Sequence, residues 1–259
     1  MNKNYHTHHE LCRHARGTAK DYVKAAIKAG MEVLGFSDHA PSMVITNDDR
    51  MRFDELETYL NDVEDAKKVY GDSLKILVGL EIEYLDTNPA YYQKLKRKVD
   101  YFILGQHYIH PEEDKSALRA TVRLKRGKDI IEYAKSVESA IKTGMFALVA
   151  HPDIYLASYA RFDEAARKAA HIIIDASIKH DVPLEFNANG IRRGCVISDE
   201  GSHYQYPRKE FWAIAVRKGA TAVLSADAHD PSQLNDEAIE NAQTLIKAWG
   251  VSTKDTLRI

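Results

Sequence analysis

KILVGLEIEY, residues 75–84, carries the decision about fold. Its apolar stretch lacks the spacing of an amphipathic helix and is too short to be one, and it runs straight into Glu81, Glu83 and Tyr84. That is how a strand buried on both faces reads when it finishes at a polar surface. Six further segments follow the same grammar: NKNYHTH (2–8), EVLGFSDH (32–39), YFILGQHY (101–108), FALVAHPD (146–153), PLEFNANG (183–190) and TAVLSADAH (221–229).

Between these segments lie helical patterns at 18–29, 54–70, 89–99, 129–143, 162–180, 208–218 and 232–249. Thr18 reads as an N-cap, and Gly30, Gly144 and Gly219 stand just past helix ends, where a left-handed residue is needed. Strict alternation of buried strand and helix implies parallel strands joined by right-handed crossovers. Seven such units without a GxGxxG turn predict a seven-unit (β/α) TIM-like barrel, a single domain over 1–259, with a doubly wound open sheet as the alternative. The charge-rich loops 41–52, 110–128 and 191–206 all follow strand ends, the face on which a barrel builds its site.

Composition narrows the function. With 36 basic and 38 acidic residues among 259, and a formal charge of -2, the chain has no global positive field for a nucleic-acid backbone. The N-terminal MNKNYHTHHELCRH has no apolar signal region, and no apolar run reaches about 18 residues, so a cytoplasmic protein without membrane spans is expected. Two cysteines, Cys12 and Cys195, make no disulfide framework and are read as packed thiols.

The twelve histidines are ordered by position. His6 and His8 close the first strand segment, His39 the second, His107 the fourth and His151 the fifth; Glu81 ends the third, and Asp227 with His229 the seventh. In a barrel these ends converge on one mouth. A single HxH pair is equally compatible with a packed or surface position, but packing does not predict recurrence at strand ends. With His14 from the first loop, the set is seven histidines and two carboxylates, too many for one ion, and nitrogen and oxygen donors without thiolate suit Zn²⁺, Mn²⁺ or Fe²⁺. Arg161, Arg192 and Arg193 on loops at the same mouth are candidates to grip phosphate, and Asp153 is a candidate acid for the leaving group. Ser37, Asp38 and His39 cannot form a hydrolytic triad, since consecutive side chains do not point at one another and no GxSxG elbow is present.

YHTHHELCRHA, GFSDHAP, GLEIEY, GQHY, AHPD and SADAH, in this order from Tyr5 to His229, resemble the polymerase-and-histidinol-phosphatase (PHP) family. CRHARG and NANGIRRG look most like its histidinol-phosphatase branch, where an NxSGLR-like sequence is expected; here Asn189 stands in place of the serine. The resemblance implies a distorted (β/α)7 barrel holding three divalent cations. His6, His8, Glu81 and Asp227 would serve one, His14, His39 and His229 the second, and Glu81, His107 and His151 the third. It further implies hydrolysis of L-histidinol phosphate to L-histidinol and phosphate in histidine biosynthesis, with water activated between the cations attacking phosphorus. Glu10, Asp153, Glu185 and Asn187 are candidates by position for the amino and imidazole groups of that substrate. Within the same resemblance, the rival activities are a phosphodiesterase or nuclease and a protein-tyrosine phosphatase; a metal-binding module without catalysis is the other class.

Overall fold

The computed structural model describes residues 1–46, 48–85 and 89–259. Its strands are β1 (Lys3–Asn4), β2 (Val33–Phe36), β3 (Lys75–Ile82), β4 (Tyr101–Leu104), β5 (Tyr108–Ile109), β6 (Arg119–Ala120), β7 (Leu148–Val149), β8 (Leu184–Asn187), β9 (Cys195–Ser198), β10 (Gly201–Tyr204) and β11 (Ala222–Ser225). The helices are α1 (Ala19–Lys28), α2 (Leu56–Tyr70), α3 (Pro89–Lys96), α4 (Gly127–Lys142), α5 (Glu164–His180), α6 (Ala188–Arg192), α7 (Lys209–Lys218) and α8 (Glu237–Trp249). Seven parallel strands pair in the order β1-β2-β3-β4-β7-β8-β11. The sheet curls until its edges meet, where Thr7 bridges Ala228 in parallel and the His8 N–H donates to the Ala228 carbonyl at 2.9 Å. The expected seven-unit barrel is therefore present and nearly closed.

Side-chain alternation sorts the strand residues into two cores. On β3, Ile76, Val78, Leu80 and Ile82 pack outward in the shell beneath the helices, while Leu77 joins Tyr5, Val33, Tyr101, Ile103, Leu148 and Val223 inside the barrel. The same alternation turns Gly79 and Glu81 inward. Gly79 and Gly35 are glycines because the Tyr101 ring lies against them: a Cβ would come within 2.5 Å of the ring at Gly79 and within 2.2 Å of its hydroxyl at Gly35. The Tyr101 hydroxyl donates to the Tyr5 and Phe36 carbonyls at 2.7 and 3.0 Å, so the deepest polar atom of this plug is satisfied.

Several boundaries differ from those expected. The polar tails read as strand, such as His6–His8 and His151–Asp153, leave the ladder early, which frees His6, His8 and His151 to turn into the mouth. Residues 188–190 are helical instead of extended, because Asn187 Oδ1 accepts from the Asn189 and Gly190 N–H groups and starts α6. Tyr108 belongs to an antiparallel hairpin of β5 with β6, and β9 pairs with β10 in another. α8 begins at Glu237, where Asp236 caps it through the Ile239 N–H, and 231–235 form a 3-10 turn. Thr18 does cap α1, in a reciprocal box with Asp21. No described helix is long and apolar enough to cross a membrane.

Candidate metal centre

At the C-terminal ends of β1, β3 and β11 four buried donors converge. His6 Nε2 and His8 Nε2 face each other at 2.9 Å. Glu81 Oε2 lies 3.4 Å from each of them, and Asp227 Oδ1 lies 3.5 and 3.3 Å away. A tetrahedral ion with ligands at about 2.0–2.1 Å would have donor–donor edges of roughly 3.3 Å. The cage thus has the size and donor chemistry of a cation site. Both carboxylate oxygens are buried without a hydrogen-bond partner, an arrangement proteins rarely tolerate unless something else is bound there.

Neighbouring groups aim five of the nine, His6, His14, His107, Asp227 and His229. Glu185, fully buried on β8, takes the His6 Nδ1 at 2.7 Å with one oxygen and the His151 backbone N–H at 2.8 Å with the other. Asn187 and Asn189 donate to Asp227 Oδ2 at 3.0 and 3.1 Å, which leaves Oδ1 for the cage. Glu83 holds His107 Nδ1 at 2.7 Å, the Cys12 carbonyl holds His14 Nδ1 at 2.7 Å, and the Asp227 carbonyl holds His229 Nδ1 at 3.1 Å. A ring that donates from Nδ1 presents its Nε2 lone pair outward, the usual way of orienting a metal-binding imidazole. Gly105 contributes by absence, since a Cβ there would lie 1.9 Å from Glu81 Oε1.

Further donor groups overlap this cage. His14, His39 and His229 bring ligand atoms within 4.8 Å of one another, as do His39, Glu81 and His107, and His6, His151 and Asp227. Glu81 is the hub, with His151 Nε2 3.0 Å from Oε1 and His39 Nδ1 2.9 Å from Oε2. All nine residues singled out as ligands thus meet in one cluster, in which His39 belongs both to the group with His14 and His229 and to the group with Glu81 and His107. Cys12 is a fully buried thiol as expected, its pKa pushed up by burial, and lies within 4.8 Å of His8 and His229 donors, whereas Cys195, also expected to be packed, is exposed on β9.

The electrostatics describe a site short of positive charge. Burial works against a charged His6, yet Asp227, Glu185 and Glu81 outweigh it and hold its pKa well above the ordinary value. His107 is likewise raised to about 9, against burial, by Glu83 and Glu81. His39 is lowered to about 4, chiefly by burial, and burial together with His229 lowers His8 well below its usual value. Glu81 and Asp227 are held far below the carboxylate range despite burial, Glu81 by His39, His6 and His107, and Asp227 by His6 first. The surplus of carboxylate charge that raises His6 and His107 is the environment a divalent cation would neutralise. The backbone is strained here too: His151 and Asp227 sit at φ of 29° and 44°, in a region that non-glycine residues enter only when their surroundings compel them.

A cavity of about 470 Å³ opens over the cluster, lined by His8, His14, His39, His107, His151 and His229 among others. Of the three arginines expected at the mouth, Arg193 lines it, lying over the Tyr206 ring at 5.7 Å. Arg192 does not, because its guanidinium is committed to Asp236 at 2.6 Å and the Gln233 carbonyl at 2.8 Å, with a further bond to the Ala226 carbonyl, clamping α6 to the start of α8. Arg161 points to solvent, 66% exposed, paired with Asp163 and lying over Tyr159. Asp153 is also outside the cavity lining: it is buried and accepts the Arg208 N–H at 2.7 Å, anchoring the start of α7, and desolvation raises its pKa to about 7. Glu185 and Asn187 brace the cage from behind, and Glu10 is exposed away from the lining, so none of these takes the expected substrate-facing place. Sequence reasoning missed Arg50, Asp49, Tyr206 and Glu83. For Arg50 the signal was the charge-rich 41–52 loop; for Glu83 it was the i, i+2 spacing from Glu81.

A sequence model of the PHP domain matches residues 4–189. A Deinococcus radiodurans protein named "Probable histidinol-phosphatase" is 25% identical over 234 residues, covering 88% of this chain and 86% of that one. The histidinol-phosphatase of Bacillus subtilis is 24% identical over 260 residues, covering 86% and 92%. The crystal structure of histidinol phosphate phosphatase from Lactococcus lactis, complexed with zinc, L-histidinol and phosphate, superposes with a TM-score of 0.69 at 18% identity, covering 99% of this chain and 96% of that one. At that identity the likeness is one of fold, and it agrees with the barrel described above. The family match spans well over half of the residues and includes His6, His8, Glu81, His107 and His151, and on that ground the chain belongs to the PHP-domain family.

Proposed function

We propose that this chain is a histidinol-phosphatase, hydrolysing L-histidinol phosphate to L-histidinol and inorganic phosphate in cytoplasmic histidine biosynthesis, as one domain with three divalent cations. The names of its curated relatives support the substrate, and the four-donor cage of His6, His8, Glu81 and Asp227 is the observation that carries the chemistry. His14, His39 and His229 would hold a second ion, and His107 and His151 a third shared through Glu81. Divalent cations so held would supply an acidified water as nucleophile and positive charge for the phosphoryl oxygens.

This chain's own residues prepare that chemistry. Glu185, Glu83 and the Asn187–Asn189 pair lock the ligands before substrate arrives, so little reorganisation is left for the reaction itself. Arg193, beside Tyr206, offers a guanidinium on one wall of the cavity to orient the monoester. Asp49, Tyr108, Thr121 and Asn189 give the same cavity polar groups for the alcohol portion. The test is phosphate release by the metal-replete protein from L-histidinol phosphate beside p-nitrophenyl phosphate, a phosphotyrosyl peptide and a dinucleotide. A kcat/KM at least about a hundredfold in favour of histidinol phosphate is expected, some 2.7 kcal/mol of transition-state discrimination. Preference for the peptide or the dinucleotide would replace the substrate assignment with that activity.

A further inference from the structure

We propose that Arg50 is a second phosphoryl-binding residue, gripping the substrate from the wall of the cavity opposite Arg193. The inference rests on the phosphomonoesterase reading and deepens it. Arg50 comes from the loop between β2 and α2, Arg193 from the segment after β8. In the strand order β1-β2-β3-β4-β7-β8-β11 these strands stand three steps apart one way round and four the other, as far apart as a seven-stranded barrel permits.

The loop that carries Arg50 is tied down. Arg13, just after the first histidine pair, donates from Nε to the Arg50 carbonyl at 3.3 Å, lies 3.0 Å from Asp48 and bonds Glu55 at 2.6 Å. The Arg50 side chain is only 6% exposed, yet it lines the cavity with His39 and His107. Among the described residues its guanidinium makes one hydrogen bond, from Nε to Asp49 Oδ1 at 3.2 Å. Nη2 remains 3.7 Å from Glu83 Oε1, and the Tyr108 ring centre is 6.0 Å away. Glu83 is already occupied by the His107 ring and backbone N–H, each at 2.7 Å, and by the Tyr108 N–H at 3.3 Å.

A guanidinium has five N–H donors, and the Arg50 Nη atoms, which make no hydrogen bond to the described residues, are not sealed in the core, so they stay open to an incoming anion. The contrast with the structural arginines is direct. Arg192 and Arg208 spend their donors on carboxylates and carbonyls of the fold. Arg50 instead lines the cavity that contains the four-donor cage, as well as a smaller cleft beside Pro41 and Ile82. A phosphoryl group seated on the cations would present its remaining oxygens to a fork of this kind.

The experiment titrates inorganic phosphate into the metal-loaded wild type, Arg50→Met and Arg50→Lys by calorimetry, with metal content measured on the same samples and KM for p-nitrophenyl phosphate and L-histidinol phosphate alongside. At unchanged metal content, Arg50→Met should weaken phosphate binding and raise both KM values at least about tenfold, with Lys restoring only part because it lacks the planar fork. Phosphate affinity within about twofold of wild type in both variants would overturn the inference. So would a loss of phosphate binding that merely tracks a loss of metal, since Arg50 would then serve Glu83 and His107. If the wild type shows no preference for histidinol phosphate, the substrate assignment fails while the phosphate titration still decides the role of Arg50.

Discussion

The barrel interior has two halves built on opposite principles. Below, Tyr5, Val33, Leu77, Tyr101, Ile103, Leu148 and Val223 form an apolar plug whose polar atoms are satisfied. Above, on the same strands or one or two residues beyond them, His6, Glu81, His151 and Asp227 are just as buried, yet two carboxylate oxygens accept no hydrogen bond and two residues have strained backbone. The plug is optimised as it stands. The mouth gathers donors that the fold leaves without hydrogen-bond partners, and the glycines mark the difference: Gly79 yields space to a tyrosine ring, Gly105 to a carboxylate.

Breaking the upper half should have the largest effect. Glu81→Gln keeps the shape of the hub but removes its charge, so metal content and activity should fall together, activity by at least about a hundredfold, since even residues that only brace ligands cost 10–100-fold. Wild-type metal content in this variant would show that Glu81 is not the hub.

A glycine pair then separates the halves. Gly105→Ala would drive a Cβ into Glu81 and should lower metal content and kcat. Gly79→Ala would drive one into Tyr101, and should instead cost about 1–3 kcal/mol or more in folding stability, seen in urea unfolding, while the folded fraction keeps its metal. The same loss of metal in both variants would erase the distinction between plug and site.

The arginines sharpen the comparison further. Arg192→Ala takes the guanidinium from Asp236, which keeps only its cap bond to the Ile239 N–H, and from two carbonyls, and should destabilise the protein by about 2–4 kcal/mol, lowering Tm by several degrees. Arg193→Ala should leave Tm nearly unchanged and raise KM for a phosphate monoester. Arg161→Ala is expected to do neither, given its solvent-facing pairing with Asp163; a raised KM there would place it at the mouth after all.

The fold was legible because seven buried runs end in polar residues, and burial on both faces is written directly into composition. Glu81, His107 and Asp227 could be read as one cluster because a parallel barrel sends every strand end to the same mouth. What the linear pattern could not carry was which loop arginine folds back. Arg192 and Arg193 are adjacent, yet the short helix α6, set by the Asn187 side chain, turns one onto Asp236 and the other over Tyr206. Asp153 looked like an acid at a strand end, but two residues beyond His151 the chain has already turned under α7. Arg50 depends on tertiary contacts from Arg13 that no local pattern records.

The most direct test of the account is the metal content per chain of the folded protein after equilibration with Zn²⁺ or Mn²⁺ and removal of loosely bound ions. The proposed function predicts about three ions per wild-type chain, retained in Gly79→Ala and lost in Glu81→Gln. One ion or none in the wild type would contradict the reading of the upper half of the barrel as a shared cation cluster.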